Sequence, residues 1–173
     1  MTKVVILGYG GRGRNYGILC KSPSNKKHFE VVAVIDTMDD KLALAKSEMG
    51  LADDKLFKSI DDFCAIPKMA DYMFICTQDK QHHEHAIKAL NCGYNLLLEK
   101  PIACTLEDCV DIARVANEKG LKVDVCHVLR YSDYYEKIKE VMDSGVLGKI
   151  ISIEQVENVA YWHQAHSFVR GDW

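Results

Sequence analysis

The chain has 173 residues, 48% of them hydrophobic and 27% charged, with a formal net charge of −3 at pH 7. That length holds one full domain and part of another, with the composition of an ordinary globular protein rather than a disordered one. No apolar run approaches the ~20 residues of a membrane helix, and the lysines and arginines are dispersed rather than massed, so neither membrane nor nucleic acid is expected as a partner. Met1-Thr2-Lys3 runs directly into a strand, leaving no room for a signal peptide, and a cytoplasmic protein is expected. The seven cysteines (20, 64, 76, 92, 104, 109, 126) include no C-x-x-C pair. They read as reduced, mostly buried thiols, with little weight for disulfides or a metal site.

Val4-Val5-Ile6-Leu7 is a buried strand, and the chain then turns through Gly8, Gly10 and Gly13, spaced G-x-G-x-x-G. In a dinucleotide site the first glycine allows the tight turn, the second lets backbone N–H groups approach a pyrophosphate, and the third lets the next helix pack close. That helix, with Tyr16, Ile18 and Leu19 as its apolar residues, runs to about Cys20. Its N-terminus presents unpaired N–H groups to the phosphates. After a polar loop, residues 21–27, a second strand within 29–35 ends in Asp36. Asp36 lies 23 residues beyond Gly13, close to the ~20 expected of a ribose-binding carboxylate. The rival phosphate loop, G-x-x-x-x-G-K-[ST], fails because Arg14 and Asn15 follow Gly13.

A helix over 39–49 places Leu42, Ala45 and Met49 inward and stops at Gly50. A short strand at Leu56-Phe57 and a short helix over 60–65 lead to Pro67, and 71–76 is another buried strand. The helix over 81–91 turns Ala86, Ile87 and Leu90 inward, and the strand over 94–98 leads into Glu99-Lys100-Pro101. Thr105 caps a helix reaching Lys119, with Asp108 three residues on. A strand over 122–128 follows. Strands alternating with helices predict an α/β fold, a doubly wound parallel sheet whose ligand crevice lies at the carboxyl ends of the strands. That rule gathers the glycine loop, Asp36, Thr77-Gln78, Glu99-Lys100 and His127 on one edge.

A helix over 132–144, capped by Ser132, opens a different pattern. Residues 149–159 alternate, with Ile151 and Ile153 against Ser152 and Glu154, and read as a half-buried strand of antiparallel type. The expected division is a nucleotide-binding domain over 1–128 and the beginning of a second domain over 129–173.

Lys100 is the strongest candidate for chemistry. It follows a buried strand, sits beside a carboxylate and precedes a proline. Partial burial near a cationic nicotinamide ring is expected to lower its pKa and suit it to proton transfer. The alternative is a surface lysine paired with Glu99. Of His82, His83 and His85, only the first and last share a helix face, and a solvated helix start outweighs a metal site. His163 and His166 are either substrate contacts or exposed polar residues. Arg12 and Arg14 flank the glycine loop and either favour the pyrophosphate or are solvated.

The glycine loop, the stretch from Thr77 to Ala86 and above all Glu99-Lys100-Pro101 resemble the glucose-fructose oxidoreductase / inositol dehydrogenase / MocA (Gfo/Idh/MocA) family. Arg130-Tyr131 and the run from Ser144 to Ile150 match its pattern too. The resemblance implies a Rossmann domain followed by a mixed α/β domain, and hydride transfer between a nicotinamide dinucleotide and a sugar, cyclitol or related polyol. It implies that Gly8, Gly10 and Gly13 hold the pyrophosphate, with Tyr9, Gly11 and Arg12 in the same loop. Asp36 would hold the adenosine ribose. Thr77, His82 and Glu99 would hold the nicotinamide half, and Lys100 is the family's active-site lysine. Gln78 and His127 are further cofactor-binding candidates from their strand-end positions, His127 being otherwise a core histidine. Gln78 stands where the family usually has proline. The resemblance also implies an Asp-x-x-x-His motif in the second domain, whose histidine handles the substrate hydroxyl proton, and the chain is expected to end before that motif. The expectation is therefore a nucleotide-binding N-terminal piece, inactive alone, of a homo-oligomeric dehydrogenase. NAD is expected rather than NADP, because Asp36 would repel a 2′-phosphate. The alternatives are a nucleotide-binding sensor or partner module without turnover, and an NAD-assisted glycosidase of the same family.

Overall fold

The computed structural model describes residues 1–161 together with Ala165 and Val169. His163 and His166 lie outside the described residues. The chain divides into two units, Met1–Cys126 and His127–Trp173.

The first unit is a six-stranded parallel sheet: β1 (Thr2–Leu7), β2 (Phe29–Ile35), β3 (Leu56–Phe57), β4 (Tyr72–Ile75), β5 (Asn95–Leu98) and β6 (Val123–Val125), in the order β3-β2-β1-β4-β5-β6. The central strands read as unbroken apolar runs because both their faces are covered. Alternate residues pack on opposite sides. Val5, Leu7, Met73, Ile75, Leu96 and Leu98 enter one core, while Val4, Ile6, Val34, Phe74 and Leu97 enter the other. The helices are α1 (Gly11–Lys21), α2 (Asp39–Met49), α3 (Ile60–Cys64), α4 (His82–Asn91) and α5 (Leu106–Lys119). Their ends follow the local chemistry. Thr105 Oγ1 accepts the Asp108 N–H at 3.1 Å, and Gly50 and Gly120 close α2 and α5 in the left-handed region.

Four expectations are corrected. Ile18 and Leu19 face solvent, and α1 turns Gly13, Gly17 and Cys20 inward. The helix lies so close to its neighbours that a Cβ on Gly17 would stand 3.2 Å from Met49 Sδ and 3.3 Å from the Tyr9 ring. The last strand, expected to reach residue 128, stops at Val125. Cys64 and Cys92 are paired as a disulfide, their Cα atoms 6.0 Å apart. Packing of α3 and α4 on one sheet face brings the two helix ends together, which no sequence spacing announces.

The fourth correction is in the second unit, which holds a short 3₁₀ turn (Val128–Tyr131) and α6 (Asp133–Asp143), where Ser132 Oγ accepts the Tyr135 N–H. The expected strand over 149–159 forms no ladder among the described residues, and Ile151 and Ile153 are exposed. Period-two alternation gives a strand one apolar face, but an extended segment still needs a neighbour for its backbone N–H and C=O groups.

Candidate functional site

Five strands finish level. Leu7 pairs with Ile35 and Ile75, Ile75 with Leu98, and Leu98 with Val125. The next residues, Asp36, Gly8, Cys76, Glu99 and Cys126, form a row along the carboxyl edge of the sheet. Backbone hydrogen bonds carry the ladder one step further there, from Gly8 N–H to Ile35, Cys76 N–H to Leu7, Glu99 N–H to Ile75 and Cys126 N–H to Leu98.

The glycine loop leaves β1 through Gly8 at φ +88°, where a Cβ would stand 2.8 Å from the Cys76 carbonyl oxygen. At Gly13 a Cβ would overlap the Gly8 carbonyl oxygen. Gly10 and Gly11 differ, since a Cβ on either meets nothing within 4 Å. Those two glycines border open space at the start of α1. Gly10 is the N-cap, it offers no side-chain cap, and the first turn of α1 holds no acid. By contrast, α2 and α5 begin with Asp39-Asp40 and Glu107-Asp108. The α1 N-terminus thus combines unsatisfied N–H groups, a positive dipole end and room for an anion. The residues fit a dinucleotide pyrophosphate.

Tyr9 faces away from that space. Its ring is buried against Gly17, its hydroxyl donates to Glu48 Oε2 at 3.0 Å, and burial and Glu48 raise its pKa. Arg14 forks onto Glu48 Oε1 through Nε (2.9 Å) and Nη2 (2.6 Å), and that hydrogen bonding holds the Glu48 carboxyl below its usual range. Arg14 is therefore a strut between α1 and α2. The Tyr9 N–H donates to Asp36 Oδ2 at 2.7 Å, and the Met38 N–H to Asp36 Oδ1 at 3.0 Å. Two backbone donors aim the carboxylate and leave lone pairs for further donors.

On the other side of β1, Thr77 Oγ1 lies 3.0 Å from His85 Nδ1. Burial lowers the His85 pKa and favours its neutral form. His82 is fully buried, with Nδ1 2.6 Å from the Pro101 carbonyl oxygen and Nε2 3.1 Å from that of Thr77. It ties together the loops that follow β4 and β5. Gln78 is exposed and caps the short 3₁₀ turn (Asp79–Gln81) ahead of α4. His83 turns to α5, with Nε2 2.9 Å from Asp111 Oδ2.

Glu99 is 7% exposed and heavily engaged. The Tyr16 hydroxyl donates to its Oε1 at 2.5 Å, Arg12 Nε lies 3.3 Å from the same oxygen, and the Lys100 N–H donates to Oε2 at 3.2 Å. Burial and hydrogen bonding to Cys126 and Glu99 raise the Tyr16 pKa. Burial, then the charge of Glu99, pushes the Cys76 thiol well up. The expected partial burial of Lys100 is corrected: the residue is exposed, because the chain leaves the sheet there. Among the described residues its side chain has no hydrogen bond or ion pair, and Glu99's salt bridge goes to Arg12 instead. His127 is exposed and opens the second unit, so the row ends in Cys126.

The structure thus brings the glycine loop, Asp36, Thr77, His82, Glu99 and Lys100 to one edge. Sequence reasoning missed Tyr16, Glu48 and His85 as supports. Their partners lie 83, 39 and 8 residues away, and only the last is within reach of a local pattern.

Comparison with known proteins gives a consistent picture. The model of the oxidoreductase family with an NAD-binding Rossmann fold, Gfo/Idh/MocA, matches residues 2–127. The chain is 29% identical over 144 residues to 1-carboxy-3-chloro-3,4-dihydroxycyclohexa-1,5-diene dehydrogenase of Comamonas testosteroni, covering 83% of the chain and 36% of that protein. It is 27% identical over 157 residues to inositol 2-dehydrogenase/D-chiro-inositol 3-dehydrogenase of Lactiplantibacillus plantarum, covering 90% and 43%. Among solved structures, scyllo-inositol dehydrogenase from Lactobacillus casei with bound NAD(H) and scyllo-inositol superposes with a TM-score of 0.77 at 26% identity, covering 87% of this chain and 43% of that one. The chain spans less than half the length of these relatives.

Proposed function

The chain belongs to the Gfo/Idh/MocA oxidoreductase family, and on that premise we propose that it binds NAD along the carboxyl edge of its sheet and contributes Lys100 to the oxidation or reduction of a sugar or polyol. The observation that carries this reading is the level row of strand ends. It sets the open glycine turn between a carboxylate aimed by two backbone N–H groups, Asp36, and Lys100, which is anchored through its own N–H and whose side chain has no partner among the described residues. When bound, a nicotinamide ring supplies the hydride donor or acceptor. Gly10 and Gly11 leave room for the pyrophosphate, and Asp36 accepts from the adenosine ribose hydroxyls. Lys100 Nζ takes part in moving the proton of the substrate hydroxyl, together with the histidine that the family resemblance implies in the second domain. The similarity to inositol dehydrogenases supports a cyclitol or similar polyol as the proposed substrate class.

Asp36 also argues for NAD over NADP. A 2′-phosphate would meet its negative charge, and the nearby ammonium groups are already committed: Lys58 to Asp39 and the Thr37 carbonyl, Lys41 to Asp40. A charge-assisted hydrogen bond contributes ~1.5–3 kcal/mol, so Asp36→Asn is expected to weaken NAD binding about tenfold and to leave NADP binding no weaker. Parallel titrations of both nucleotides check this. Wild-type protein binding NADP as tightly as NAD would sink the assignment.

A further inference from the structure

We propose that Glu99, set between Tyr16 and Arg12, makes the crevice discriminate between oxidised and reduced nicotinamide, favouring the cationic NAD⁺ ring over the neutral ring of NADH. The inference rests on the reading that a nicotinamide dinucleotide occupies this edge. In a sheet of this order the dinucleotide crosses the point where the strand order reverses, between β1 and β4. With Asp36 on the β2 side and the open glycines at β1, the ring half falls over the ends of β4, β5 and β6. Glu99 is the buried acid of that side.

Three donors converge on its side chain: the Tyr16 hydroxyl on Oε1, Arg12 Nε beside the same oxygen, and the Lys100 N–H on Oε2. That is the environment of a carboxylate. Its neighbours in the row, Cys76 and Cys126, are thiols that burial keeps protonated and neutral. The cations nearby are the Arg12 guanidinium and the Lys100 ammonium. The Arg12 side chain is 52% exposed, against 9% for its partner Glu99, and Lys100 is exposed. Water and salt screen exposed charges far more than a buried one. The net local field is therefore that of the carboxylate, partly offset by Arg12. The two cofactor forms differ by one positive charge on the ring and share the rest of the molecule.

The test is calorimetric titration of the 173-residue chain with NAD⁺ and, separately, with NADH near neutral pH, taking the ratio of the two Kd values. Disturbance of the phosphate or adenosine contacts affects both forms alike and cancels in that ratio. Glu99→Gln removes the charge and keeps the shape, and is expected to move the ratio toward NADH by about tenfold. Arg12→Gln removes the offsetting charge at an exposed site and is expected to move it the opposite way. Should Glu99→Gln fail to fold, the sign of the Arg12→Gln shift decides alone. Ratios within twofold of wild type in the folded variants, or an Arg12→Gln shift toward NADH, overturn the inference while the cofactor reading stands. Wild-type protein that binds neither form overturns the cofactor reading, and the inference with it.

Discussion

Gly13→Ala is expected to cost about 3 kcal/mol of stability or more, the upper range for forcing extra atoms into packed structure, because the added methyl would overlap the Gly8 carbonyl oxygen and press on Ile6 Cγ2 at 3.0 Å. Neither neighbour can step aside. The carbonyl belongs to the turn out of β1, and Ile6 is fully buried in the central strand. Gly10→Ala is the contrasting case. Its methyl meets nothing within 4 Å, so thermal unfolding is expected to shift by no more than about 1 °C, the scale of a few tenths of a kcal/mol. The same methyl occupies the space through which the pyrophosphate must approach the backbone, so NAD affinity is expected to fall about tenfold or more. On the proposed reading one glycine serves the fold and the other the ligand. Melting curves and NAD titrations on both variants separate the two, and undiminished NAD binding by Gly10→Ala would place the phosphates elsewhere.

Lys100→Met is expected to lower turnover by ~10²–10⁴-fold, the usual contribution of a general acid or base, in a form of the protein that turns over a polyol. NAD affinity is expected to stay within about threefold, since a residue at the reacting carbon is one of many cofactor neighbours. The structure makes this an unusually clean substitution. The Lys100 side chain has no hydrogen bond or ion pair among the described residues, and the backbone N–H that anchors it to Glu99 survives the change. An unchanged melting temperature should therefore accompany the loss. Turnover within threefold of wild type would make Lys100 a bystander and move the proton transfer to another group.

Most of the sheet was legible in the sequence because parallel strands covered on both faces leave a strong mark: short apolar runs such as Val4 to Leu7, punctuated by glycine and polar turns. Leu42 and Ala45 also mark the inward face of α2 correctly. On α1 the same rule misled. Close approach to the sheet selects glycine, so Gly13 and Gly17 occupy the buried face and the apolar Ile18 and Leu19 point outward. A hydrophobicity pattern has no way to score a residue without a side chain as inward. The segment over 149–159 shows the complementary limit, since alternation describes one strand and a sheet requires two.

At the site, the residues that carry a motif (the glycines, Asp36, Glu99, Lys100) could be named from spacing and family resemblance. The residues that aim them could not. Tyr16 reaches Glu99 only because α1 packs across the sheet face onto which the Glu99 side chain projects, a relation created by folding. Lys100 was expected to be partly buried because it follows a buried strand, but its predecessor takes up the burial and the chain turns it outward. Arg12 and Arg14 illustrate the same point from the other direction. Each lies at the glycine loop, and each proves to be paired with a distant carboxylate, Glu99 and Glu48.

The most direct measurement is a crystal structure of this chain grown with NADH. The predicted result places the pyrophosphate against Gly10 and Gly11 at the N-terminus of α1, the adenosine ribose hydroxyls on the Asp36 carboxylate, and the nicotinamide ring over the ends of β4 and β5 beside Glu99 and Lys100. A dinucleotide bound away from the glycine turn, or bound there with its ring half directed toward β2 and β3, would contradict the account.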